Sequence, residues 1–143
     1  MVLLNKEQIK EIIPHREPFL LVDEVTALEP GVKCIARTYI KEDDFWFAGH
    51  FPNFPVTPGV LIIEMLAQTG AICIGSLPEN KGKIALFAKL DKAKFSRQVL
   101  PGETVTLEVT MTRMRRSVGV GKAVAKVDDE VAASAELTFA FQD

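Results

Sequence analysis

Apolar and polar residues alternate through most of the C-terminal half of the chain. The runs GKIALFAKLDKAKF (82–95), ETVTLEVTMTRMRR (103–116), SVGVGKAVAKV (117–127) and EVAASAELTFAFQ (130–142) each carry a period of two. That period predicts four strands. Pro101-Gly102 breaks the first from the second, and Asp128-Asp129 is expected to turn the last hairpin. Upstream, NKEQIKEII (5–13) reads as a short helix, with Asn5 as cap and Pro14 as stop. PFLLVDEVTALE (18–29) and VKCIARTYI (32–40) read as paired strands around the turn signal Pro30-Gly31.

One segment breaks the alternation. PGVLIIEMLAQTGAICIGS (58–76) is apolar on every side in its first turns, which predicts a buried helix. Thr57 is expected to cap it, with Pro58 at the first helical position. The order is then helix, two strands, long helix, four strands. It argues an α+β domain, an antiparallel sheet curled around a central helix. No linker or repeat interrupts it, so 1–143 reads as one domain.

Composition narrows the function. With 17 basic and 19 acidic residues the net charge is -2, so the basic excess of a nucleic-acid binder is missing. The start of the chain has charges where a signal peptide would need an apolar run, and no apolar stretch reaches a membrane span. The expectation is a cytoplasmic protein without membrane insertion. Cys34 and Cys73 have no metal-ligand spacing and are expected as buried thiols.

Candidate chemistry gathers at the start of the long helix. Glu64 lies amid apolar residues, where a carboxylate must be paired or protonated. Such surroundings favour the protonated form, which suits a group that gives up a proton; the bland alternative is a polar gap that only stabilises structure. Gln68, four residues on, shares its face and can orient it. His50 precedes the helix in an aromatic loop (41–57) expected to pack on the core or on a second subunit. Histidine is the usual general base near neutral pH. His15, the other histidine, is read as structural. Gly59 lies where helix N–H groups lack partners, and with no side chain it lets a ligand oxygen approach. That is oxyanion-site geometry, although a Pro-Gly pair also simply starts helices. A base, an acid and an open helix start fit elimination of water next to a carbonyl. The residues alone leave hydrolysis open.

The motifs IPHREPFLLVDEV, GHFPNFPVTPGVLIIEMLAQTG and LFAKLDKAKFSRQVLPGETVTLEV closely resemble the bacterial (3R)-hydroxyacyl-[acyl carrier protein] dehydratases of fatty acid synthesis, the FabZ type of the hotdog fold. The resemblance spans nearly the whole chain. It implies a helix wrapped by a curved sheet, and a homodimer with one continuous sheet, a dimer that in this family often assembles further as a trimer of dimers into a homohexamer. It implies catalysis by His50 of one chain and Glu64 of the other. Gly59 would meet the thioester carbonyl, Gln68 would back the acid and Phe51 would flank the histidine. The implied partner is acyl carrier protein bearing the substrate on its pantetheine arm, with no metal or cofactor. Carrier proteins of this kind are acidic, so Lys92, Lys94, Arg97, Arg113, Arg115 and Arg116 are docking candidates. Two positions depart from the pattern: Thr57 replaces a common methionine, and Ala71 a common glycine. Ala71 is expected to narrow the acyl tunnel. A non-catalytic acyl-binding subunit is the reading from another class; it would have no need of both His50 and Glu64.

Overall fold

Asn5 starts the first helix through a reciprocal pair. Its side chain accepts from the Gln8 N–H, and the Gln8 side chain accepts from the Asn5 N–H. The computed structural model describes residues 2–142. Helix α1 covers only Lys6–Ile9; the rest of the expected 5–13 helix is a looser turn that leads to Pro14.

Strands β1 (Glu24–Glu29) and β2 (Lys33–Tyr39) flank Pro30-Gly31. Gly31 has φ 76°, and the Val32 N–H donates to the Glu29 carbonyl at 2.9 Å. This is a type II turn, in which glycine supplies the positive φ. The expected strand 18–29 shrinks at its front. Leu20, Leu21 and Val22 are buried, but the Leu21 N–H is taken by the Gln68 side chain instead of a neighbouring strand.

The long helix α2 spans Gly59–Gly75. Strands β3 (Ile84–Phe95), β4 (Thr104–Arg115), β5 (Val118–Val127) and β6 (Glu130–Gln142) complete one antiparallel sheet, in the order β1-β2-β4-β5-β6-β3. Helix α2 packs against β2 through β6, so the sheet wraps it. Val105, Leu107, Val109, Leu137 and Phe139 form the inner face, with the small Ala123, Ala125 and Ala133 among them. Asp128 and Asp129 have φ 51° and 65°, which is the two-residue hairpin turn expected there.

The two sheet edges differ. The edge of β1 is covered where Leu3 and Leu4 donate to the Val25 carbonyl. Strand β3, at the other edge, has no further strand beside it among the described residues, and it exposes Leu86, Phe87, Leu90 and Phe95.

Cys34 and Cys73 are free and buried. Burial pushes their thiols up to about 12 and about 11, so both behave as small hydrophobes. Among the described residues, no helix is long and apolar enough to cross a membrane.

Candidate active site

The site begins with how α2 starts. Pro58, not Thr57, is the N-cap residue, and Gly59 is the first helical residue. The expected Thr57 cap is therefore corrected: its N–H donates to the Val99 carbonyl, and its buried hydroxyl finds no partner among the described residues. With no side-chain cap, no hydrogen bond reaches the Gly59 or Val60 N–H among the described residues. The donors expected for an oxyanion site are thus open. A Cβ at position 59 would come within 2.7 Å of the Phe95 ring, so only glycine fits beneath that ring without displacing it.

The helix is not buried all round, contrary to the expectation from its apolar first turns. Val60 is 73% exposed, and Leu61 and Glu64 are partly exposed. From Met65 to Ile74 every residue is buried. Glu64 therefore lies where the helix passes from surface to core, which makes room for a carboxylate that a dry interior would not tolerate.

Gln68 holds that carboxylate. Its Oε1 accepts from the Leu21 N–H at 2.8 Å, and its Nε2 donates to the Phe19 carbonyl at 2.8 Å and to Glu64 Oε2 at 3.0 Å. The side chain is fully buried with both amide ends committed, so its orientation is fixed. The hydrogen bond expected between Gln68 and Glu64 is present in this geometry.

Glu64 opens onto a cavity of roughly 180 Å³ lined by His15, Ala67, Ala71, Ala85, Leu86, Phe87 and Phe139. Apart from Glu64 and His15 its walls are apolar. Ala71, expected to narrow a tunnel, does line it. A Cβ at Gly70 would come within 2.5 Å of Phe139, so the helix and β6 are in near contact behind the cavity.

His50 is held elsewhere. Its Nδ1 lies 2.8 Å from the Val56 carbonyl, and its ring stacks on Phe51 at 4.2 Å between centroids. A carbonyl can only accept, so Nδ1 is the protonated nitrogen and Nε2 keeps its lone pair. That is the tautomer a general base requires. His50 does not line the Glu64 cavity, and no ion pair joins His50 to Glu64 among the described residues. The aromatic loop divides: Trp46 and Phe47 pack into the core, while Phe45, Phe51 and Phe54 are each about half exposed.

A profile of the FabA-like domain family matches residues 13–136. The 3-hydroxyacyl-[acyl-carrier-protein] dehydratase FabZ of Staphylococcus carnosus is 57% identical over 99% of this chain and 97% of its own length. Its Staphylococcus aureus counterpart is 54% identical over the same shares. The chain belongs to the FabA-like family. It is a dehydratase, a hydro-lyase. The fold is the hotdog fold of this family, and solved structures share it at low identity. The dehydratase heterocomplex ApeI:P of Xenorhabdus doucetiae aligns with a TM-score of 0.78 at 13% identity, over 94% of this chain and 91% of that one. The PaaI protein of E. coli aligns with a TM-score of 0.65 at 12% identity, over 81% and 80%.

The six cationic candidates fall into separate places. Lys92 and Lys94 border one surface groove with Lys122 and Glu136. Arg113, Arg115 and Arg116 border another at the β4–β5 turn, and all three are exposed. Arg97 is committed: it donates to Glu103 at 2.6 Å, reaches the Val127 carbonyl at 3.4 Å and pairs with Glu130 at 3.8 Å.

One residue of the site was not foreseen as such. His15, read as structural, lies with Nε2 3.8 Å from Glu64 Oε2 and lines the same cavity. Burial pushes its imidazole below the usual histidine range, against the pull of Glu64. Its place just before the buried run Leu20–Val22 was the available signal, because that run ties it to the core beside α2.

Proposed function

We propose that the protein converts (3R)-3-hydroxyacyl-[acyl carrier protein] to the trans-2-enoyl form in fatty acid biosynthesis. The observation that carries this reading is the Glu64 carboxyl, locked by Gln68 at the mouth of a cavity whose walls, apart from Glu64 and His15, are apolar. An acyl chain fits such a cavity, and its β-hydroxyl would meet the one acid there. The thioester carbonyl would accept from the open Gly59 N–H, which makes the α-proton more acidic. His50 Nε2 removes that proton. Glu64 gives its proton to the β-hydroxyl, which leaves as water as the double bond forms. Return of the proton from imidazolium to carboxylate resets the pair.

The pair meets across a homodimer, with His50 of one protomer facing Glu64 of the partner subunit. Three features support this reading. His50 is absent from the Glu64 cavity within one chain, β3 leaves an apolar edge open, and Phe51 and Val60 beside the site are exposed. Joining two β3 edges would make one continuous sheet and cover their apolar side chains. Further assembly into a hexamer and a cytoplasmic setting belong to the same proposal. Acyl carrier protein docks on the exposed Arg113, Arg115 and Arg116 at the β4–β5 turn or on the Lys92–Lys94 groove, while Arg97 stays committed to Glu103 and Glu130 at the other end of β4 and β5.

The test is product analysis with a 3-hydroxyacyl-carrier-protein substrate. Enoyl product is expected from the wild type. His50→Ala and Glu64→Gln are each expected to lower the rate by at least about a hundredfold, the usual worth of a positioned acid or base. Free thiol in place of enoyl product, or a full rate in either variant, contradicts the proposal.

A further inference from the structure

Oxygen Oε2 of Glu64 is approached from two sides. Gln68 donates to it at 3.0 Å from one turn along α2, and His15 Nε2 stands 3.8 Å away on the segment that follows α1. Among the described residues His15 Nδ1 is buried and unbonded, so no hydrogen bond at that nitrogen draws the ring elsewhere. The cavity it shares with Glu64 receives only apolar side chains from β3 and β6, namely Ala85, Leu86, Phe87 and Phe139. The remaining nearby charge is Arg16, whose guanidinium is occupied by the carbonyls of Lys10, Ile13 and His15. Two groups thus converge on one carboxyl oxygen, and among the described residues no hydrogen bond or ion pair reaches Oε1.

We propose that His15 is a positioning residue for the Glu64 acid: together with Gln68 it holds Oε2 as an acceptor and leaves Oε1 to carry the proton that is given to substrate. This rests on the dehydratase reading above. His15 acts in its neutral form, donating from Nε2–H. A protonated imidazole there would favour the carboxylate and strip the acid of the proton it must deliver. Arg16 opposes that protonation, and so does burial. The 3.8 Å approach is longer than a hydrogen bond, and it shortens as the site fills with substrate, as catalytic contacts in empty sites commonly do.

The test compares His15→Ala, His15→Asn and His15→Gln with the wild type, in kcat, KM and pH profile. For His15→Ala, kcat is expected to fall about tenfold, the worth of one such hydrogen bond, with KM within about twofold. The alkaline limb of its kcat–pH profile is expected to move, because a donor beside the acid's Oε2 has been removed. The Asn or Gln variant, whose amide N–H replaces the imidazole donor, is expected to recover most of kcat and the original limb. If His15→Ala does not fold, as judged by circular dichroism, the two amide variants decide: near wild-type kcat and profile support the proposal. An unchanged kcat and profile in folded His15→Ala overturns it, as does a tenfold loss in both amide variants. A wild type that forms no enoyl product instead removes the dehydratase reading itself.

Discussion

A carboxylate in an apolar helix needs its oxygens satisfied, and position 68 supplies that need while also closing the Phe19–Leu21 backbone. Gln68→Ala would strand the Leu21 N–H and the Phe19 carbonyl. It is expected to cost roughly 2–4 kcal/mol of stability, read by urea unfolding, and to lower kcat as well. Gln68→Glu keeps the size but sets a second carboxylate against Glu64 and loses the donor, so activity is expected to fall further than fold. His15 adds a pH dependence. Its folded-state pKa lies below the unfolded value, so the unfolded chain binds the proton more readily. The neutral ring's contribution is therefore whole above about pH 6.5 and is lost as the pH falls below it. The melting temperature is expected to drop between pH 7.5 and 5.5 by more in the wild type than in His15→Gln.

At the scale of elements, two contacts govern. Gly70 meets Phe139 so closely that an added methyl must displace that ring. Gly70→Ala is expected to cost about 1–3 kcal/mol and to shorten the accepted acyl chain, checked by turnover over substrates of increasing length. The open edge of β3 is the second contact. Much of this level was legible in the sequence, because period two and the apolar run 58–76 report burial directly. Pro30-Gly31 and Asp128-Asp129 announced their turns by conformational preference. The front of the 18–29 strand was not legible, because its hydrogen-bond partner is a glutamine forty-seven residues away. The cap of α2 was misplaced for a related reason: the Thr57 N–H is taken by the distant Val99 carbonyl, and Pro58 becomes the residue that opens the helix. Glu64, Gln68 and Gly59 were legible as a local set. His15 was not, since its approach to Glu64 depends on the fold of the segment between them.

For the whole molecule, one chain carries every group of the proposed mechanism without bringing them together. His50 Nδ1 is held by the Val56 carbonyl, the Glu64 carboxyl is held by Gln68, and Phe51 and Val60 near them are exposed. The hydrophobic edge of β3 is the surface whose burial would join them. Replacing Leu90 with Lys is expected to shift the protein toward monomer in size-exclusion chromatography with light scattering, and activity is expected to fall with it. The most direct measurement mixes two inactive variants. His50→Ala and Glu64→Gln chains are unfolded and refolded together, so that protomers exchange at random. If each site takes His50 from one protomer and Glu64 from the partner subunit, half the dimers are mixed and each holds one intact site. About a quarter of the wild-type activity should then return, as two-fold symmetry requires. No recovery, in a sample shown by mass to contain mixed dimers, would contradict a site shared between chains.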